Sequence, residues 1–395
     1  RLLEFGVFCA LAGEHGRDWR EWPEPLRRPG AAASAAADPA RVALHVWAQA
    51  RAAQQLAAAQ QAALDAGMSV GIVHDLAVGA DPGGADGWVY ADALADGVSI
   101  GAPPDAINEQ GQNWGLPAWR PDRLAAAGFA PWRDVVAAAL RLGGGLRIDH
   151  IMGLSRMWWI PAGVPIGRGA YVYGDSEAMF GVLVAEAGAR GSLLIGEDLG
   201  VVEPGLRDRM GQLGILGSAV LWFEGMGSPG EGDDDGRLPA NWRARAAASV
   251  STHDLPTAHG FLRDAQVHAR AAAGVLGGSL ENALAEAAKA RVELIGLLIR
   301  CGALDPADVD DPNDIVHAMY RALIASPSQV VLVGASDAVG DLRQPNLPGT
   351  VDEYPNWRLP LADGAGNPVS LERFLASPGV AQLSALMRSG IGRSD

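Results

Sequence analysis

The sequence predicts an α/β fold built on parallel strands, and three observations support this class. Short apolar runs alternate with helical stretches, which is the pattern of strand–helix–strand units. Four of the apolar runs are followed by a carboxylate, at Asp75, Asp149, Glu197 and Asp254. A chain of 395 residues, 49% of them hydrophobic, can also bury a large core.

Residues 1–66 are predicted to be helical and to form an insertion subdomain. Asp38 can cap a helix whose first residue is Pro39, and an Ala- and Gln-rich run continues to Gly67. Asp before Pro is a helix start, and Gly commonly follows a helix end. We assign residues 67–395 to the main, catalytic domain.

Six strands are predicted in the main domain. They are Ser69–Leu76, Gly145–Asp149, Ser192–Glu197, Ser218–Phe223, Ala248–Thr252 and Gln329–Gly334. Helical stretches separate several of them, at Pro131–Leu142, Asp175–Ala189 and Ser279–Gly302. This order favours a TIM-type (β/α)8 barrel with helical and loop insertions. Because a barrel needs about two strands more, we expect it to be incomplete at the N-terminus and completed by sequence upstream of Arg1.

Two connections are too long for simple crossovers. Residues 79–130 and 224–247 are rich in Gly, Pro, Asp and Trp, which favours loops. The first contains Asn113 and Trp114. An exposed indole beside an amide suits a sugar, because the ring stacks on an apolar face and the amide bonds hydroxyls. Simple packing of the loop would explain Trp114 equally well.

Charge and cysteine content limit the function classes. A net charge of −15 argues against nucleic acid or an anionic membrane as partner, since both need a basic protein surface. Two cysteines, Cys9 and Cys301, are too few for a disulfide framework, and a cytoplasmic location is predicted.

The carboxylates after the strands indicate acid–base or covalent chemistry. The carboxyl ends of parallel strands meet at one rim, where barrel enzymes place their active sites. Arg147 precedes Asp149 by two residues, so both side chains point the same way, and the guanidinium favours the ionised carboxylate that a nucleophile requires. Each acid alone could equally anchor a loop or pair with an arginine. Four in order along successive strands favour a site.

Three motifs around these acids resemble the signature of the 4-α-glucanotransferases, also called amylomaltases, of glycoside hydrolase family 77. They are Arg147-Ile148-Asp149-His150, Gly196-Glu197-Asp198-Leu199-Gly200 and Ser251-Thr252-His253-Asp254. Similar supporting segments are Gly101–Asp105, Gly111–Pro117, Trp158–Pro161, Asn346–Thr350 and Tyr354–Pro360. The resemblance extends over essentially the whole chain.

The resemblance implies transfer of α-1,4-glucan segments from a maltooligosaccharide donor to the 4-hydroxyl of an acceptor glucan or glucose, by a retaining double displacement. Asp149 would be the nucleophile, Glu197 the general acid and base, and Asp254 the group that grips hydroxyls of the distorted sugar ring. The implied substrate-binding residues are Asp75, Asn113, Trp114, Arg147, His150, Asp198, His253, Asn346, Pro348 and Gly349. No cofactor or metal is implied.

Two geometric expectations accompany these roles. The Asp149 and Glu197 carboxyls should lie roughly 5–5.5 Å apart. Nearby carboxylates, Asp149 and Asp254, should be the main cause of a raised pKa at Glu197.

Three alternatives remain open. An α-amylase-type hydrolase would use the same acids, although the Gly111–Pro117 and Asn346–Thr350 segments favour transfer. A metal-dependent phosphohydrolase is disfavoured, because the His-Asp pairs follow strand-like runs and lack helical ligand spacing. A catalytically inactive glucan-binding fragment is the non-enzyme alternative, since missing strands would expose sheet edges.

Overall fold

A computed structural model of the protein describes residues 1–104, 111–226 and 234–391. The chain divides into two compact units, Arg1–Leu216 and Gly217–Asp395. Within the described ranges, no helix combines the length and apolar character that crossing a membrane requires.

The first unit contains helices and strands in alternation. Its helices are α1 (Leu2–His15), α2 (Ala31–Ala36), α3 (Pro39–Asp65), α4 (Ala85–Val89), α5 (Pro121–Ala126), α6 (Ala130–Leu140), α7 (Ser176–Gly188) and α8 (Leu206–Gln212). Its strands are β1 (Val73–Leu76), β2 (Val98–Ala102), β3 (Gln112–Leu116), β4 (Gly145–Ile148), β5 (Arg156–Pro161), β6 (Ala170–Tyr173) and β7 (Leu193–Gly196).

Three of these strands form a parallel sheet in the order β1-β4-β7. Leu76 pairs with Ile148, and Ile148 pairs with Gly196, so the three strands end at the same level. Asp149 and Glu197 are therefore the first residues beyond neighbouring strand ends. The peptide N–H of Glu197 continues the ladder by donating to the Ile148 carbonyl at 2.9 Å.

Helices α6 and α7 cover one face of this sheet with apolar side chains. Leu146 and Ile148 of β4 are buried in the same cluster as Val136 of α6 and Phe180 of α7. Trp132 also donates its indole N–H to the Met179 carbonyl, which ties the two helices together. Arg147 lies on the opposite face of β4, because side chains alternate along a strand. One face of the sheet therefore packs in the apolar core, and the other carries a charged side chain.

The helical segment at the N-terminus follows its sequence signals. Asp38 accepts a hydrogen bond from the Ala40 peptide and Pro39 begins α3, as predicted. The helix ends at Asp65, and Gly67 adopts a left-handed conformation with φ of 89°. A second core cluster, which includes Trp22 and Trp88, packs α1 and α2 on α4. Within this unit, the segment 1–66 thus shares a core with residues that follow it.

A four-stranded antiparallel sheet in the order β3-β2-β5-β6 was missed by the sequence analysis. Together with α4 and α5, it gives much of the segment 79–130 a regular structure, while residues 105–110 lie outside the described ranges. Gly101 shows why the glycine content of this segment wrongly predicted a loop. Its backbone passes so close to β3 that an added Cβ would lie 1.9 Å from the Gln112 carbonyl oxygen. Here a glycine serves strand pairing instead of a loop.

We predict that Gly101→Ala strongly destabilises the first unit. The new methyl group would meet backbone that cannot move without breaking the β2–β3 pairing, so unfolding should become easier by about 3 kcal/mol or more. Gly174→Ala is the matched control, because no atom lies within 4 Å of its added Cβ and its φ is not positive. Chemical denaturation of both variants measures this, and equal midpoints would contradict it.

The second unit contains the remaining predicted strands. Its helices are α9 (Leu221–Glu224), α10 (Ala258–Leu262), α11 (Ala265–Ala272), α12 (Leu280–Arg300), α13 (Pro312–Ile324), α14 (Ala335–Val339), α15 (Leu371–Leu375) and α16 (Pro378–Ile391). Its strands are β8 (Gly217–Val220), β9 (Ala246–Ser249) and β10 (Val330–Val331), which form a parallel sheet in the order β10-β9-β8. All six strands predicted from the sequence are therefore present.

Candidate active site

Arg147 connects two of the predicted acids in the first unit. Its Nη1 lies 2.6 Å from Asp75 Oδ1, and its Nη2 lies 3.0 Å from Asp149 Oδ1. Asp75 and Arg147 are register partners on β1 and β4, and Asp149 follows Arg147 by two residues, so all three side chains lie on one side of the sheet. The Arg147 guanidinium thus orients the Asp149 carboxylate.

Glu197 is held by two peptide N–H groups. The His150 peptide donates to Oε2 at 2.8 Å, and the Leu199 peptide donates to Oε1 at 2.6 Å. The residue is only 9% exposed. A carboxyl group fixed by backbone on both oxygens has one orientation, which is what directed proton transfer needs.

Burial raises the pKa of Glu197 to about 7, and the nearby Asp149 carboxylate adds to the rise. The Leu199 and His150 peptides and Arg147 act in the opposite direction, because each stabilises the ionised form. The expectation that neighbouring carboxylates dominate is therefore corrected: desolvation comes first. A carboxyl group with this pKa is partly protonated at neutral pH and can act as both acid and base.

His150 combines an unusual backbone with a neutral ring. Its φ and ψ of 46° and 59° are left-handed, and this turn directs its peptide N–H at Glu197. Burial, followed by the charge of Arg156, lowers the pKa of His150 to about 4, so the ring is neutral at pH 7. The Trp114 ring packs edge-on against it, with 5.1 Å between centroids. The structure thus places the His150 peptide against Glu197 and the Trp114 ring against the His150 ring.

Two predicted substrate contacts are not brought to this place. Asn113 alternates with Trp114 on β3, so its side chain lies on the other face of the strand, where it lines a cavity of about 310 Å³ and accepts a bond from Ser99 Oγ. Asp198 is fully buried behind Glu197, and its carboxylate accepts a hydrogen bond from Arg207 Nε at 2.9 Å. Asp198 therefore presents no exposed surface, and its contact with Arg207 suits a positioning role.

In the second unit, Asp254 is held by the Asn346 loop. Asn346 donates from Nδ2 to Asp254 Oδ1 at 2.6 Å, and its peptide N–H donates to the His253 carbonyl at 3.1 Å. His253 Nε2 lies 3.3 Å from Asp254 Oδ2. The Asp254 side chain keeps 42% of its surface exposed. A carboxylate that is oriented but open can still accept bonds from hydroxyl groups.

Gln344 is a residue of this arrangement that sequence reasoning missed. Its buried amide donates to the Asn346 carbonyl at 2.7 Å and to the Asp254 carbonyl at 3.4 Å, so it joins the two loops. Pro348 and Gly349 shape the turn that follows, and Gly349 has a φ of 85°, which favours glycine. The position of Gln344 two residues before Asn346 was the available signal. Among the described residues, no group of three or more His, Cys, Asp or Glu is placed to hold a metal ion.

Comparisons with known proteins agree with these motifs. The family model described as 4-alpha-glucanotransferase matches residues 1–364. The chain belongs to this family. The 4-alpha-glucanotransferase of Mycobacterium tuberculosis H37Rv is 45% identical over 394 residues, which are 98% of this chain and 54% of that protein. The 4-alpha-glucanotransferase of Haemophilus influenzae is 34% identical over 82% of this chain and 46% of its own length.

Solved structures give the same picture of the 4-alpha-glucanotransferase fold. The amylomaltase from Corynebacterium glutamicum superposes with a TM-score of 0.86 at 34% identity, over 98% of this chain and 54% of that one. The amylomaltase from Streptococcus agalactiae in complex with acarbose superposes with a TM-score of 0.77 at 19% identity, over 98% of this chain and 72% of that one, and shows likeness of fold. The chain thus spans about half the length of the curated relatives it matches most extensively.

Proposed function

We propose that this chain carries the catalytic residues of a 4-α-glucanotransferase, which moves α-1,4-glucan segments from a maltooligosaccharide donor to the 4-hydroxyl of an acceptor glucan or glucose. The single observation that carries the proposal is the contrast between the environments of Asp149 and Glu197. One acid is ion-paired with Arg147, whereas the other is buried with a pKa of about 7. Two carboxyl groups with such different environments suit nucleophile and acid.

The proposed reaction has two displacements. Asp149 attacks the anomeric carbon while Glu197 protonates the departing glycosidic oxygen, which leaves a covalent glucosyl–enzyme ester. Glu197, now ionised, then takes the proton from the 4-hydroxyl of the acceptor, whose oxygen displaces Asp149. The anomeric configuration is retained because the carbon is inverted twice. The neutral His150 ring can bond sugar hydroxyls beside Glu197.

Asp254 has the third role in this proposal. Its oriented, half-exposed carboxylate would grip hydroxyls of the distorted donor ring, and these bonds would strengthen as the ring approaches the transition state. His253, Asn346, Pro348 and Gly349 would complete the surroundings of that sugar, and Asp75 would act through Arg147.

We further propose that the six parallel strands belong to a (β/α)8 barrel. Residues 67–395 would form its catalytic part and residues 1–66 a helical insertion. The amylomaltase likeness and the alternation of parallel strands with helices support this assignment. Maltooligosaccharides are the proposed ligands, and nucleic acid and membranes are not expected as partners of a chain with a net charge of −15. A cytoplasmic location completes the proposal.

Incubation with maltotriose tests the activity. A transferase should yield glucose together with maltopentaose and longer chains, while the total number of reducing ends stays constant. An α-amylase-type hydrolase would instead raise the number of reducing ends by one for each bond cleaved. Binding of maltotriose without new products would leave the glucan-binding alternative and refute the transferase.

A further inference from the structure

Trp357 stands out in the second unit because it is an exposed aromatic side chain on a strained backbone. Its side chain keeps 65% of its surface exposed. Its φ of 60° lies in the left-handed region, which a tryptophan rarely adopts and which costs about 1–2 kcal/mol. Strain of this kind persists only where the surroundings impose it, and it is concentrated at functional sites.

The surroundings of Trp357 do impose this conformation. Its peptide N–H donates to the Pro345 carbonyl at 2.9 Å. The preceding Asn356 is bonded on both sides of its amide: Oδ1 accepts from the Leu347 peptide at 2.8 Å, and Nδ2 donates to Thr350 Oγ1 at 2.8 Å. The segment around Trp357 is thereby locked onto the Asn346–Thr350 loop, which holds Asp254.

The indole is presented beside the candidate site. The Trp357 and His253 rings pack with 4.9 Å between centroids at an angle of 52°, and His253 Nε2 lies 3.3 Å from Asp254 Oδ2. Asp254 can therefore bond hydroxyl groups, while the exposed face of the nearby Trp357 indole can stack on an apolar surface. A pyranose ring offers both surfaces, and Trp supplies a large rigid contact area at low entropic cost.

We propose that Trp357 is a stacking platform for a glucosyl unit of the bound α-1,4-glucan, next along the chain from the unit that Asp254 grips. This inference rests on the proposed function, because it assumes a glucan ligand. The backbone is held in a strained conformation while the indole stays exposed and contributes little to the core. Stability is thereby exchanged for ligand contact, as at other functional sites.

Calorimetric titration of the full chain with maltose and maltoheptaose tests the proposal. Trp357→Asn should weaken maltoheptaose binding about tenfold, a loss in the range of a removed aromatic contact, and should affect maltose less. Asn tolerates a left-handed backbone, so the melting temperature should stay equal or rise. Trp357→Phe should keep most of the affinity for maltoheptaose. Trp47→Asn, at another exposed tryptophan, should leave the affinity for both sugars unchanged.

The outcomes separate the two proposals. A parent chain that binds neither sugar refutes the proposed function, and the platform with it. A parent that binds maltoheptaose while Trp357→Asn binds it equally well refutes the platform alone. Loss of affinity in parallel with a lower melting temperature, in both the Asn and the Phe variant, would show a structural role and likewise overturn the platform.

Discussion

Asp149→Asn is expected to lower the rate of glucan transfer by about a thousandfold or more, equivalent to about 4 kcal/mol of barrier. An amide has nearly the same shape as the carboxylate, but it cannot form the glucosyl ester. Binding of maltoheptaose should stay within about tenfold of the parent, because the sugar-binding groups remain. Steady-state disproportionation of maltotriose and titration with maltoheptaose give the two readouts.

Asp75→Asn is the matched control for this variant. It removes the same charge from the same guanidinium, since Arg147 contacts both carboxylates. It leaves the nucleophile in place, so the transfer rate should fall by no more than about tenfold. Equal losses in the two variants would mean that the charge around Arg147 matters and that Asp149 does not attack. Activity of Asp149→Asn within tenfold of the parent would mean that another residue attacks.

The second large effect is expected from Glu197→Gln. The variant cannot protonate a departing sugar oxygen, so transfer from maltotriose should fall by a factor of about 10²–10⁴. A maltosyl fluoride donor needs no proton for departure of the fluoride, and its first turnover should remain near the parent rate. Asp149→Asn should fail with both donors. Failure of Glu197→Gln to release fluoride would contradict its assignment as general acid.

Glu197 should also make stability depend on pH. Its folded pKa of about 7 lies above the unfolded value of 4.5, so the fold favours the protonated form. This contribution is fully present below pH 4.5 and is lost as the pH rises to about 7, where the total loss is about 3 kcal/mol. Denaturation of the parent and of Glu197→Gln from pH 4.5 to 8 should give different slopes. If the stabilities of the two proteins changed with pH in parallel, the raised pKa of Glu197 would be refuted.

The sequence was most informative where a functional side chain lies on or directly after a strand, because the alternation of side chains along the strand then predicts its direction. The apolar runs predict Asp149 and Glu197 as the last residues of their strands, and in the structure each is the first residue beyond its strand, β4 or β7. Arg147 was placed on the same side as Asp149 by strand alternation, and the ion pair has that geometry. These inferences succeeded because a strand of buried apolar residues is readable from local composition, and its two-residue period fixes where the following side chains point.

Other features depend on contacts between distant segments and could not be predicted in the same way. Strand β3 contains Gln, Asn, Trp and Gly, and only its pairing with β2 makes it a strand. Its alternation then directs Asn113 and Trp114 to opposite faces, although the two residues are adjacent in the sequence. The cause of the raised pKa of Glu197 is burial by the whole unit, a property that adjacent residues do not reveal. The left-handed Trp357 is equally a product of its partners.

The paired ends of β4 and β7 fix the distance between the backbones of the two acids that follow them. Neighbouring strands are spaced about 4.8 Å apart by their hydrogen bonds, and Asp149 and Glu197, the two acids proposed to react, occupy matching positions directly beyond that ladder. The carboxyls of retaining enzymes lie roughly 5–5.5 Å apart, a separation that acids on neighbouring strands suit better than acids on distant ones. The adjacent strands would then fix where the two backbones lie, and the lengths of the Asp and Glu side chains would set the remaining separation of the carboxyls.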